Sequence, residues 1–281
     1  MKDLVSTDWL AAALEAHDAH GRPAVFDASL YLPGEQVDAR ARFEAQHIPG
    51  AHFFDINDVA DVESDLPHMV PATGRFERLI GALGVHNGTP VVFYDQRGLF
   101  SAARGWWLMK LFGHTQAAVL DGGLPKWVRE GRAVDRGQPA PVVATRYHAH
   151  FNAARLRGLG DMLANLETRR ELVLDARSAG RFAGTAPEPR PGLASGHIPG
   201  SRNLPFGELL HADGTLLAPE QLRQRFAALG VGADTPVVTS CGSGVTATVI
   251  TLALAVAGLG PGAVYDGSWA EWGATPDAPK A

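Results

Sequence analysis

Short apolar strands alternating with helices, twice over in one order, predict an α/β protein of two tandem units. Each unit reads as a mainly parallel sheet flanked by helices. The first observation behind this is an internal repeat. His47-Ile48-Pro49-Gly50-Ala51 recurs as His197-Ile198-Pro199-Gly200-Ser201, Thr89-Pro90-Val91-Val92 as Thr235-Pro236-Val237-Val238, and Asp121-Gly122-Gly123 with Trp127 as Asp266-Gly267-Ser268 with Trp272. The offsets, 150, 146 and 145 residues, are those of a duplicated domain and far too long for a solenoid. The second observation is that each half carries the same succession of elements.

That succession opens with a short apolar run ending in aspartate, Ala24–Asp27 and Leu172–Asp175. A short polar helix and the His-Ile-Pro-Gly turn follow. An amphipathic helix comes next, about Gly74–Leu83 and Pro219–Leu229, then the Thr-Pro-Val-Val strand and a loop. An apolar helix (Ser101–Phe112; Ala247–Gly258) leads to a last strand (Ala117–Leu120; Gly262–Tyr265). Trp106 and Trp107 fall on the first apolar helix and read as core. Between the halves, residues 133–150 contain Gln138-Pro139-Ala140-Pro141, which reads as an extended linker. The expected organisation is a first unit at 1–135, a linker at 136–153 and a second unit at 154–281.

Composition narrows the function. Of the 281 residues 46% are apolar and 20% charged, as in ordinary globular proteins. The net charge of −5 offers no basic field for nucleic acid or an anionic membrane. A single cysteine excludes an internal disulfide. The start has no apolar signal region and is not arginine-rich, so a cytoplasmic location is expected. The longest apolar run, Val245–Leu259, is too short to span a bilayer. The histidines have no paired spacing that suggests a metal site, and no organic cofactor is implied. His68, His86, His114, His148 and His150 read as loop or surface residues.

The chemistry concentrates in Cys241-Gly242-Ser243-Gly244-Val245-Thr246, which holds that one cysteine. The run follows a strand and precedes the apolar helix from Ala247, so the thiol sits in a strand-to-helix turn. Its glycines let successive N–H groups curl inward as an anion-binding nest, and the helix adds its positive dipole end. Both effects favour thiolate over thiol. A buried cysteine acting as a small apolar side chain is the alternative, but that role requires no glycine-rich loop. At the matching place of the first half stands Asp95, so only the second half has a nucleophile.

From about Leu4 to about Trp272 the chain resembles the tandem-domain rhodanese family. The resemblance rests on Asp27–Pro33, Phe53-Phe54-Asp55-Ile56, Asp121-Gly122-Gly123, Gly180–Thr185, Glu188–Gly192, Gly196–Gly200, the Cys241 loop and Asp266-Gly267-Ser268-Trp269. It implies two rhodanese-like domains and sulfur transfer through a persulfide on Cys241. The amides of Gly242, Gly244, Val245 and Thr246 would hold the persulfide. Arg181 and Arg190 match the family's arginines for the donor's carboxylate and keto oxygens, a task suited to the guanidinium fork; a salt bridge is the other reading of each. Ser243, with His47 and Asp38, is implied as a proton relay. An intervening helix, Ala39–Gln46, would hold Asp38 about 13 Å from His47, and the recurrence of His47 as His197 equally suits a scaffold role. Arg177 reads as support for Asp175, and Trp269 as packing near the loop.

Uncharged residues after the cysteine match the branch that acts on 3-mercaptopyruvate, where thiosulfate-using members place basic ones. Ala247 at the seventh position excludes a Cys-x5-Arg phosphatase. The expected enzyme passes sulfur to a thiol acceptor (thioredoxin or a small thiol) or to cyanide, releasing pyruvate. Thiosulfate:cyanide sulfur transfer and a persulfide carrier with little turnover are the alternatives.

Overall fold

The computed structural model describes residues 1–16 and 22–281. In the first unit β1 (Leu4–Val5), α1 (Thr7–Glu15), β2 (Ala24–Asp27), α2 (Ala39–Ala45), β3 (His52–Phe53), α3 (Ile56–Val59) and α4 (Thr73–Ala82) lead to β4 (Val91–Tyr94), α5 (Ala102–Leu111), β5 (Ala117–Leu120) and α6 (Gly123–Arg129). The second unit contains β6 (Leu156–Arg157), α7 (Leu159–Thr168), β7 (Leu172–Asp175), α8 (Ala179–Phe182) and β8 (Arg202–Asn203). It ends with α9 (Pro219–Ala228), β9 (Val237–Ser240), α10 (Ala247–Ala257), β10 (Ala263–Tyr265) and α11 (Ser268–Trp272).

Both sheets have five parallel strands in equivalent order, β1-β5-β4-β2-β3 and β6-β10-β9-β7-β8. The edge strands β1, β3, β6 and β8 have two residues each, too short for an apolar period to register in the sequence. β4 and β9 are buried at every residue, as strands covered on both faces must be. Each begins just after the Thr-Pro pair, because proline has no N–H for the ladder. The carbonyls of Pro90 and Pro236 still accept from Ala24 and Leu172.

α5 and α10 pack together between the two sheets, and one apolar cluster runs through both units. Trp106 and Trp107 lie in it, 1% and 0% exposed, as their place on an apolar helix predicts. Gly105 is forced by the same packing, since a Cβ there would stand 2.5 Å from the Phe93 ring. Residues 130–152 form no helix or strand, yet they are tied to the first unit. Thr145 and His150 donate backbone N–H groups to Gly81 and Phe112, and Tyr147 is buried edge-on against Phe76.

The units exchange loops reciprocally. The backbone N–H of Val70 donates to Oδ2 of Asp266 at 2.7 Å, and that of Leu216 to Oδ1 of Asp121 at 2.8 Å. Asp121 and Asp266 are repeat equivalents, so each unit offers the same carboxylate to its neighbour's loop. The centre of the interface is an ion pair between Arg104 of α5 and Asp266, 2.8 Å apart, with side chains 0% and 4% exposed. Arg104 also donates to the carbonyls of His68 (2.5 Å) and Gly244 (3.2 Å), and its guanidinium lies 4.6 Å from the Trp107 ring.

Removing one member of such a pair strands a buried charge. Asp266→Ala is therefore expected to cost about 3–5 kcal/mol, read as a lower midpoint in urea unfolding. The interdomain pair Arg129–Asp213, with side chains 50% and 48% exposed, is the control: Arg129→Ala should leave the midpoint unchanged. Equal shifts would contradict the assignment of Asp266 as the buried anchor.

Candidate active site

Cys241 follows the C-terminal end of β9 and lies at a cavity of about 300 Å³. Both units wall this cavity. Leu30, Tyr31, Leu32, His68, Arg97 and Phe100 come from the first; Arg181, Arg190, Phe206 and the cysteine loop come from the second. The cysteine is 2% exposed and Ser243 6%.

The loop takes its shape from Ser268. Its hydroxyl oxygen accepts the backbone N–H groups of Cys241 and Gly244, both at 3.1 Å, and donates to the carbonyl of Tyr265. Ser268 itself adopts φ +50°, a conformation that ordinary side chains resist. Gly244, at φ +72°, passes so close to the Asp266 backbone that a Cβ would meet its carbonyl at 2.7 Å. Among the described residues no protein acceptor bonds the backbone N–H groups of Gly242, Ser243, Val245 and Thr246, and these four residues line the cavity.

The equivalent loop of the first unit is satisfied from within. One carboxylate oxygen of Asp95 accepts from the N–H groups of Phe100, Ser101 and Ala102 at 2.8–2.9 Å, and the other accepts from Arg97 at 2.9 Å. The repeat thus keeps the anion-binding turn in both units. In the first a built-in carboxylate fills it; in the second four of its amides have no acceptor among the described residues.

Four charges in series set the arginines. Arg177, fully buried and 4.3 Å from the Trp269 ring, forks onto Asp175 at 2.7–3.1 Å. It also donates to Glu188, which in turn accepts from Nε and Nη2 of Arg181 at 2.6–3.2 Å. Arg181 is thereby pinned against Gly242, where a Cβ would lie 2.9 Å from Nη2. Arg190 has no hydrogen-bond or ion-pair partner among the described residues. Burial draws its pKa below the usual guanidinium value, and the nearby Cys241 opposes that shift. The support role read for Arg177 and the packing role read for Trp269 agree with these contacts.

The structure corrects the histidine. His68, expected as an ordinary loop residue, places Nδ1 3.0 Å from Oγ of Ser243, a hydrogen bond whose direction follows the imidazole tautomer. Its backbone is left-handed (φ +63°) and is held by Arg104 through the His68 carbonyl. His47 does not reach Ser243. It is 1% exposed, stacks on Phe43 at 4.2 Å and has Nδ1 2.9 Å from the Phe43 carbonyl. His197 makes the same two contacts with Phe182, so the recurring histidine packs in the same way in both units. Asp38 caps α2, accepting from the N–H of Ala41 at 3.0 Å. It faces a separate cleft of about 680 Å³ with Arg40 and Asp55.

Burial first, then the charges of Arg104 and Arg190, pull the His68 pKa down to about 4. The ring is therefore neutral near pH 7.

Two duplicated α/β units, with the one cysteine in a strand-to-helix turn of the second, define a two-domain class. The rhodanese-like domain family matches residues 6–130 and 159–275, and the chain belongs to that family. It is 44% identical to human 3-mercaptopyruvate sulfurtransferase over 271 residues, 96% of this chain and 91% of the relative. Bovine thiosulfate sulfurtransferase is 42% identical over 274 residues, with the same coverages. Among solved structures, the 3-mercaptopyruvate sulfurtransferase SseA of Escherichia coli superposes with a TM-score of 0.85 at 35% identity, covering 96% of this chain and 99% of that one. Tum1 of Saccharomyces cerevisiae gives 0.90 at 30% identity, covering 99% and 98%.

The low His68 pKa is directly measurable. The His68 ring resonance should titrate near pH 4 in an NMR series. An unfolded imidazole takes up its proton near 6.5, so His68 should lower stability as pH falls from about 6.5 to about 4 and have no effect above that window. A midpoint near 6.5 would contradict the buried, neutral assignment.

Proposed function

We propose that the chain is a sulfurtransferase that takes sulfur from 3-mercaptopyruvate onto Cys241 and passes it to a thiol acceptor. The observation that carries this reading is the conjunction, in one cavity, of a buried cysteine, four loop N–H groups and an Arg190 side chain that have no partner among the described residues. The donor's carboxylate pairs with Arg190, and Arg181 supports its keto end. The Cys241 thiolate attacks the donor sulfur. The donor's C–S bond breaks, an S–S bond forms, and the carbon fragment gains a proton and leaves as pyruvate. Neutral His68, through Ser243, is placed to carry that proton. The open loop amides receive the outer sulfur as an anion, the part of oxyanion-hole donors. With one cysteine in the chain, the persulfide is discharged by an external thiol, thioredoxin or a small thiol, or by cyanide.

The division of labour follows the units. Residues 154–281 supply the nucleophile and arginines, residues 1–135 supply His68 and the opposite wall, and 136–153 joins them. Thiosulfate as donor is the second reading, favoured by the 42% identity to a thiosulfate sulfurtransferase. Gly242 and Ser243 favour the keto acid, since a dianionic donor calls for basic residues there. Among the described residues no helix is long and apolar enough to cross a membrane.

Intact mass after one equivalent of 3-mercaptopyruvate without reductant should rise by about 32 Da, and Cys241→Ser should show no rise. A gain with thiosulfate alone would exchange the two readings. A gain with neither would leave the persulfide chemistry without support. Arg190→Ala should lower kcat/KM for 3-mercaptopyruvate by about 10- to 100-fold, the size of a lost charged hydrogen bond. Near-normal kinetics would return Arg190 to a structural role.

A further inference from the structure

Arg97 is the repeat equivalent of Ser243, both lying two residues beyond the position that holds Asp95 in one unit and Cys241 in the other. Its backbone N–H is fixed by the Asp95 carboxylate, but its side chain leaves its own unit's loop and lines the cavity of Cys241. There the guanidinium lies 4.2 Å over the Phe100 ring and 5.8 Å from that of Tyr31. Nη1 alone holds a carboxylate, donating to both oxygens of Glu35 at 3.1 Å. Nε and Nη2 have no partner among the described residues, so most of the fork is unused. Arg97 and Glu35 are 34% and 33% exposed, in contrast to the buried arginine pairs of the second unit.

This pair is a carboxylate site already occupied by a carboxylate of the chain. Exposed ion pairs contribute little to stability, and the other partner of Glu35, the backbone N–H of Leu32 at 2.5 Å, is an exposed contact that water can replace, so exchanging Glu35 for an incoming carboxylate costs little. The donor does not need the site, because Arg190 serves its three-carbon acid. An acceptor does have a use for it. Its thiolate must meet the outer sulfur of the Cys241 persulfide while the rest of the molecule occupies the remaining cavity, whose wall includes Tyr31, Phe100 and Arg97.

We infer that Arg97 selects the sulfur acceptor, favouring thiols that bear a carboxylate several bonds from the sulfur and binding it in place of Glu35. This rests on the persulfide reading above. In the step concerned, the acceptor thiol gives its proton to the outer-sulfur anion, and the thiolate so formed bonds to that sulfur. The S–S bond to Cys241 breaks, and Cys241 leaves as thiolate. The product is the acceptor's persulfide, so atoms and charge balance with no oxidant or reductant.

The test uses enzyme loaded with sulfur by 3-mercaptopyruvate and two probes of matched length, 6-mercaptohexanoate and 6-mercaptohexan-1-ol. Discharge is followed as the loss of about 32 Da, and loading is recorded in the same samples. Arg97→Ala should slow discharge by the acid roughly fivefold relative to the alcohol, and Glu35→Gln should speed the acid relative to the alcohol. The acid's advantage in the unaltered enzyme should shrink in 1 M salt. Equal effects of Arg97→Ala on acid and alcohol would overturn the inference, as would an acid-to-alcohol ratio indifferent to both substitutions. Failure of the unaltered enzyme to load sulfur would remove the persulfide reading and this inference with it, an outcome distinct from loading without discrimination.

Discussion

A backbone N–H withdrawn from water needs an acceptor, and the chemistry of this protein follows from how that need is met in two copies of one turn. In the first unit the Asp95 carboxylate meets it, accepting from four amides. In the second, Ser268 takes the N–H groups of Cys241 and Gly244, and the amides of Gly242, Ser243, Val245 and Thr246 have no acceptor among the described residues. Aspartate against cysteine at the turn, with the Ser29 hydroxyl that accepts from Gln96 in the first unit, separates a bonded loop from one with open amides. The cysteine and the open amides therefore occur in the same turn.

The second requirement is that the other unit complete the site. Arg104 reaches across the interface to Asp266, and in doing so bonds both the carbonyl of His68 and that of Gly244. The one guanidinium thus fixes the histidine loop and the cysteine loop in a common frame. Asp266 closes the arrangement by accepting from Val70, two residues beyond His68. The left-handed backbone of His68 is sustained by these bonds. A buried ion pair is a poor source of stability in general; here its value lies in registering two loops from different units.

Much of the fold was legible because duplication doubles every signal. Strands Ala24–Asp27, Leu172–Asp175 and Ala117–Leu120 end where their apolar runs end, and the repeat located the cysteine loop and its inert counterpart. His47 was expected in the relay with Ser243, although its recurrence as His197 equally suited a scaffold role, and the structure stacks His47 on Phe43 as it stacks His197 on Phe182. His68 escaped because its partner is 175 residues away in the other unit, and no local pattern encodes a contact across an interface. Arg104 lay hidden in an apolar helix whose buried face was the only feature its neighbours advertised. Asp266 and Ser268 were visible as landmarks, but their bonds to the interface and to the loop became readable only in three dimensions.

The most direct test of the account is a crystal structure of the sulfur-loaded protein, obtained after 3-mercaptopyruvate and before any acceptor. The account predicts the outer sulfur on Cys241 within about 3.5 Å of at least two of the backbone nitrogens of Gly242, Ser243, Val245 and Thr246. An outer sulfur directed to the cavity mouth, with those amides bound to water, would contradict it.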